Sequence, residues 1–314
     1  MTAVKKHSSS LKFPHHDLLG IEHLSPDDIT AILDLAEFYV VQNRRKSQTN
    51  ALLKGLVLIN IFLENSTRTR LSFDMAAKRL GAEVITMTSE GSSIQKGESY
   101  EDTLRAINAM RPDIAVVRNR AEGSADLAAK LLECPVINAG DGVREHPTQA
   151  LLDALTLRRH FGTLDGIKVT IAGDIVHSRV AHSNAILLEK MGARLSMVAP
   201  AEFLPKNTPN TTTDIAEGLK DADAVMVLRI QKERLEKNMS ITEEEYFKTY
   251  GLTAERLALA HKNAIVLHPG PMNRGVEIDC AIADDPARSM VTLQVEMGVA
   301  VRMALLDLLT RSVR

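Results

Sequence analysis

The chain has 314 residues, 45% hydrophobic and 25% charged, with a formal net charge of −2. That length is material for about two domains, each with a sizeable core. The balanced charge removes any global electrostatic case for nucleic acid or an anionic membrane, so an anion site must come from local placement of charge.

Residues up to about His16 are polar and read as a loose tail, without an apolar core long enough for a signal peptide. No stretch approaches a membrane span, and a cytoplasmic, reducing location is the expectation. "SPDD" at 25–28 gives an N-cap Ser with Pro at the first helical position. The spacing of Ile29, Ile32, Leu33, Leu35, Ala36 and Tyr39 predicts a helix immediately after it. Short apolar runs then alternate with amphipathic segments. Strands are predicted over 55–63, 82–87, 113–118 and 135–139, then over 167–173, 194–199, 224–230 and 264–268. Runs this apolar, separated by helices, indicate parallel strands covered on both faces.

A long helix is predicted from Thr148 to a C-cap at Gly162. It falls midway among the strands and reads as the connector between two domains. The expected fold is α/β, two domains, each a parallel sheet flanked by helices. The domains are assigned to 1–150 and 151–289, with the apolar last helix at 290–314 packing back on the first. Cys134 and Cys280 sit among apolar neighbours without metal-ligand spacing, and each reads as a buried structural thiol.

In parallel sheets, ligands bind beyond the carboxyl ends of the strands. After the first strand comes "ENSTRTR" at 64–70. The N–H groups of a helix start attract anions. The hydroxyls of Ser66, Thr67 and Thr69 add donors, and Arg68 can fork onto two phosphate oxygens. Capping by Ser66 alone would explain one hydroxyl, but arginines in a first turn oppose the helix dipole unless an anion is present. Phosphate is the favoured ligand, with Arg70 open to a structural role. No glycine-rich loop ending in Gly-Lys-Ser/Thr and no GxGxxG after a strand occurs, which disfavours a nucleoside triphosphate or dinucleotide.

The second strand leads into a polar loop at 88–103 with Lys96 near its tip, either a plain flexible loop or a functional one. Arg118 ends the third strand. The fourth leads to "GDGVREHPTQA", where a neutral His146 ring could donate to a carbonyl oxygen and Gln149 could point the same way. In the second half, Arg179, Arg229 and Gln231 come after strands. Single arginines are commonly surface salt-bridge partners; two at the binding edge of one sheet suit a ligand with two carboxylates. "HPGPMNRGVEI" at 268–278 forms a rigid bend able to present carbonyl oxygens to an amide NH2.

Together, "ENSTRTR", "HPTQALLD", "GDIVHSRVAHSN", "LRIQKER" and "HPGPMNRGVEI" resemble the catalytic chains of aspartate carbamoyltransferases over about residues 17–310. The first two motifs also occur in ornithine carbamoyltransferases. The Asp-Ser-Met-Gly element and His-Cys-Leu-Pro turn of those relatives are missing: the turn here reads His268-Pro269-Gly270-Pro271. Some relatives have Leu in place of Gly270, a change of little weight if the backbone carbonyl is the working group.

The resemblance implies transfer of the carbamoyl group of carbamoyl phosphate to L-aspartate, in pyrimidine synthesis, without metal or organic cofactor. It assigns Ser66, Thr67, Arg68 and Thr69 to the phosphate, and Thr69, Arg118 and His146 to the carbonyl oxygen. Gln149 and the turn around Pro269, Gly270 and Pro271 are assigned to the amide nitrogen. Arg179, Arg229 and Gln231 fall to aspartate, with Lys96, and Ser92 close by, reaching a neighbouring subunit's site. Arg68, Thr69, Arg118 and His146 form the implied catalytic set. The resemblance also implies a homotrimer with shared sites, open to a dodecamer with regulatory chains or to docking with another pyrimidine enzyme; no nucleic-acid or membrane partner is expected. A carbamoyltransferase for another amino compound, such as a modified ornithine, and a non-catalytic paralogue are the competing readings.

Overall fold

The computed structural model describes residues 13–45, 51–230 and 242–312. They form two compact units: one runs up to Leu155 and resumes from Val295, the other spans Thr156–Gln294.

The first unit opens with α1 (Pro26–Arg44). Its start is closed by a capping box: the Ser25 hydroxyl accepts from the Asp28 N–H at 3.1 Å, and the Asp28 carboxylate accepts from the Ser25 N–H at 2.9 Å. Next come β1 (Val57–Phe62), α2 (Thr67–Leu80), β2 (Glu83–Thr88), α3 (Tyr100–Ala109), β3 (Ile114–Asn119), α4 (Ser124–Leu131), β4 (Val136–Asp141) and the first half of α5 (Pro147–Phe161). The strands form one parallel sheet in the order β2-β1-β3-β4. Ile59, Ile61, Val117 and Val136 of the sheet pack with Leu104 and Ile107 of α3 and Ala128 of α4. Burying each such aliphatic side chain contributes roughly 1.5–3 kcal/mol.

The expectation of strands covered on both faces fails at β2. It is the sheet edge, and Ile85 is 57% exposed. With a strand neighbour on one side only, β2 keeps its apolar character without burial.

The second unit begins within α5 and continues through β5 (Lys168–Ala172), α6 (Arg179–Lys190), β6 (Arg194–Val198), β7 (Thr211–Thr212), α7 (Ile215–Leu219), β8 (Ala224–Val227), α8 (Glu243–Tyr250), α9 (Ala254–Leu257), β9 (Ile265–Leu267) and α10 (Cys280–Ala283). Its sheet is also parallel, in the order β7-β6-β5-β8-β9. The two-residue β7 was not predicted, because "NTPNTTTD" contains no apolar run. Helix α5 ends as expected, with Gly162 at φ +81° and its N–H on the Arg158 carbonyl.

The last helix, α11 (Val291–Leu309), starts in the second unit and belongs to the first from Val295. Met297, Ala300, Val301, Ala304, Leu305 and Leu306 are buried there. Tyr39 of α1 donates to Asp307 at 2.9 Å, and Arg44 forks onto Glu296 at 2.6 and 3.0 Å. Cys134 is buried as expected; Cys280 is exposed. Cys280 opens α10 after its Asp279 cap, and the helix buries Ile282 and Ala283 instead. No described helix is long and apolar enough to cross a membrane.

Candidate active site

Each sheet has a place where neighbouring strands send their chains in opposite directions, the usual location of a ligand crevice in an open α/β sheet. In the first unit it lies between β1 and β3.

Helix α2 springs from β1 at this point. Ser66 occupies the N-cap, yet its hydroxyl makes no capping bond, and the first turn carries no acid. Thr67 and Arg68 are exposed, Arg70 is half-buried and Thr69 is buried. A helix start left open by its own cap residue, with Arg68 beside it, provides donors and positive potential for an anion.

Arg118 lies on the other side of the switch point, in register with Phe62. Its guanidinium is buried and fixed, donating to the Ala139 carbonyl at 3.0 Å and to the Glu64 carboxylate at 3.0 Å. From beyond β4, His146 precedes α5, and its carbonyl accepts from the N–H groups of Gln149 and Ala150 at 2.9 and 3.3 Å. His146 and Gln149 are both buried, and the Gln149 amide donates to Asp153 at 3.0 Å. Thus β1, β3 and β4 deliver their predicted residues to the same carboxyl edge. Lys96 stands apart, exposed at the end of a short 3-10 turn beyond the edge strand β2.

Arg302 of α11 was missed by sequence reasoning. It is buried, donates to Ser72 of α2 at 2.8 Å and Thr148 of α5 at 3.2 Å, and lies 5.0 Å from the Phe73 ring centroid. Burial, then the charge of Arg118, pushes its pKa down to about 9, against the pull of Asp153. It remains a cation at neutral pH, joining α2, which starts after Ser66, to α5, which starts after His146. Its sequence signal was a lone arginine in the apolar run "GVAVRMALL". Glu64 was likewise visible, as the acid opening "ENSTRTR", without a role attached to it.

In the second unit the switch point lies between β5 and β8. Gly173 leaves β5 at φ +125°, and a Cβ there would come within 3.0 Å of Leu228 Cβ, so glycine lets the chain after β8 approach. Arg179 opens α6 after a Ser178 cap and is half-buried; Arg229 lies just past β8 and is exposed. Gln231 lies outside the described residues. The bend after β9 carries Gly270 at φ +64°, a conformation suited to glycine, joined to Pro271 by a cis peptide bond.

Arginines stand beyond the strand ends of both parallel sheets, joined in the first by hydroxyl and imidazole side chains, an arrangement that suits a class of proteins acting on small anionic metabolites. Comparison with known proteins narrows it. Residues 16–159 match the aspartate/ornithine carbamoyltransferase carbamoyl-P binding domain, and residues 165–309 match the Asp/Orn binding domain. The second match runs on into α11, which joins the first unit in space. The chain is 56% identical to the aspartate carbamoyltransferase catalytic subunit of Rhodospirillum centenum over 306 residues, 96% of each chain. Aspartate transcarbamoylase of Trypanosoma cruzi, solved with carbamoyl aspartate and phosphate, superposes with a TM-score of 0.84 at 31% identity, covering 93% of this chain and 95% of that one. Ornithine carbamoyltransferase from Pyrococcus furiosus gives 0.85 at 26% identity, covering 95% and 98%.

The chain belongs to the aspartate/ornithine carbamoyltransferase family. Backbone similarity does not separate the two substrate classes, since both structures superpose equally well.

Proposed function

We infer that the chain transfers the carbamoyl group of carbamoyl phosphate to the α-amine of L-aspartate, giving N-carbamoyl-L-aspartate and phosphate in pyrimidine synthesis. The observation that carries this reading is the uncapped, arginine-bearing start of α2 facing Arg118 across the β1/β3 switch point. The relatives named for aspartate, and the two arginines of the second unit, favour aspartate over ornithine. Ornithine's cationic side chain would call for an acidic partner instead.

Ser66, Thr67, Arg68 and Thr69 hold the phosphate. Thr69, Arg118 and His146 donate to the carbonyl oxygen. Gln149 and the carbonyls of the bend at Pro269 and Gly270, closed by Pro271, hold the amide nitrogen. Arg179, Arg229 and Gln231 bind the carboxylates of aspartate. The neutral amine attacks the carbonyl carbon, the C=O π electrons move onto oxygen, and the resulting oxyanion is stabilised by preorganised donors, each contributing about 3 kcal/mol. The intermediate collapses by breaking the bond from carbon to the phosphate oxygen, and the departing phosphate takes the ammonium proton.

Lys96, with Ser92, completes a neighbouring subunit's site in a homotrimer. Supporting this, Leu71 and Met75 of α2 and Ile85 of the edge strand are exposed apolar side chains, and the Lys96 loop leads directly out of that edge. Further assembly with regulatory chains or another pyrimidine enzyme would build on that trimer, in a cytoplasmic setting that suits the two free thiols.

Assaying the purified chain with carbamoyl phosphate and either aspartate or ornithine tests the reading. Carbamoyl aspartate should form and citrulline should not; the reverse result sinks the aspartate assignment. Sedimentation tests the trimer.

A further inference from the structure

We propose that His268 and Glu277 form a buried positioning pair that locks the carbamoyl-binding bend to the aspartate-binding end of β8. The proposal deepens the proposed function and rests on it. Both residues lie within the second unit, and their side chains are 0% and 1% exposed. Neither takes part in the carbamoyl transfer itself.

The bonds assign each proton. The Gly270 N–H donates to His268 Nδ1 at 2.9 Å. A backbone N–H can only donate, so Nδ1 holds a lone pair and the ring proton sits on Nε2. That proton points to Glu277 Oε1, 3.1 Å away. The ring is therefore neutral and the carboxylate is its acceptor. The His268 N–H donates to the Gln294 side chain at 3.0 Å, fixing the bend at its root.

Glu277 reaches the other segment as well. Its carboxylate accepts from the Asn273 N–H on one side and from the Ile230 N–H, at 3.4 Å, on the other. The Asn273 amide donates to the Ile230 carbonyl at 2.7 Å. Ile230 is thus held at both its N–H and its C=O, and it sits between Arg229 and Gln231. One carboxylate, through one imidazole, connects the backbone at Gly270 to the backbone beside the aspartate arginine.

A buried carboxylate is costly, and well-packed apolar groups of similar volume often serve stability equally well. A pair with a merely structural role could be weakened with loss of stability alone. A pair that sets the register of two ligand-binding segments must show itself in kinetics, because small misplacements of binding groups reduce turnover steeply.

The experiment uses the full chain in four variants, with circular dichroism and Tm recorded beside steady-state kinetics for both substrates. His268→Asn places an amide oxygen where Nδ1 was and keeps the Gly270 acceptor while losing the link to Glu277. His268→Gln keeps a donor toward Glu277 and loses the Gly270 acceptor. Glu277→Gln keeps the shape and turns an amide N–H toward a backbone N–H. Arg229→Ala is the control for the site itself.

The expected result is a fall in kcat of about tenfold or more in Glu277→Gln and His268→Gln, with a raised KM for aspartate in Glu277→Gln. His268→Asn should recover part of the kcat lost in His268→Gln. Lowered Tm with wild-type kcat and KM in all three folded variants would overturn the proposal. If Glu277→Gln does not fold, the two His268 variants decide: equal, wild-type kinetics overturn it. An unchanged aspartate KM in Arg229→Ala would instead remove the site reading on which the proposal stands. A raised KM there, with the other variants kinetically normal, removes the proposal alone.

Discussion

Two helix starts in the first unit begin alike and end in opposite roles. Ser25 heads α1, with Asp27 and Asp28 in the first turn, and its hydroxyl and the Asp28 carboxylate satisfy the helix N–H groups reciprocally. Ser66 heads α2 with Arg68 and Arg70 close behind, and makes no capping bond. The first start is closed by its own acid, which completes the electrostatics of the helix end. The second leaves that positive end open and adds more positive charge to it. Between these two helices, a closed start goes with acids in the first turn and an open one with arginines, whereas at α6 Ser178 still caps the helix although Arg179 opens it.

The variant expected to break this contrast most severely is Arg68→Ala. Turnover should fall by about 10³-fold or more, while circular dichroism and Tm stay near wild type, since the side chain is exposed. Near-normal activity would remove the phosphate assignment.

Arg302→Met tests the support beneath the open start. It takes away the donors to Ser72 and Thr148, and with them a buried cation close to Arg118. The loss of charged hydrogen bonds of about 1.5–3 kcal/mol should raise the KM for carbamoyl phosphate by roughly tenfold or more. Michaelis constants for both substrates check it, because the aspartate KM should move far less.

The two serines then give a crossed pair. Ser25→Ala should cost about 1 kcal/mol in denaturant unfolding and leave kcat unchanged. Ser66→Ala should leave stability within about 0.5 kcal/mol and lower activity. If the two variants behave alike, the contrast between the starts is wrong.

The smallest effect concerns the thiols. Burial pushes the Cys134 thiol up to about 12, so it stays protonated and shielded through neutral pH, whereas Cys280 is exposed. A disulfide-exchange reagent should titrate one thiol in the native chain and two after unfolding.

Much of the fold was legible in the sequence because parallel strands announce themselves as apolar runs. The residues just past the end of each run included Thr69, Arg118, His146 and Gln149, and β1, β3 and β4 place them at one sheet edge. Relations between distant positions escaped. Arg302 meets Ser72 across 230 residues of chain, and Glu64 meets Arg118 across 54. No local spacing reports such pairs. Nor did composition reveal that His268 and Glu277 are buried together, or that Cys280 turns outward among apolar neighbours. Exposure at β2 depended on strand order, which "EVITM" does not encode. The role of Lys96 came from resemblance alone, since its loop composition fits an ordinary surface loop equally well.

Calorimetric titration of carbamoyl phosphate, without aspartate, into the wild-type chain and into the Arg68→Ala and Ser25→Ala variants addresses the open helix start most directly. One site per chain is expected, with binding lost or weakened by about 10²-fold in Arg68→Ala and a wild-type Kd in Ser25→Ala. An Arg68→Ala chain that binds with the wild-type Kd would contradict the phosphate assignment.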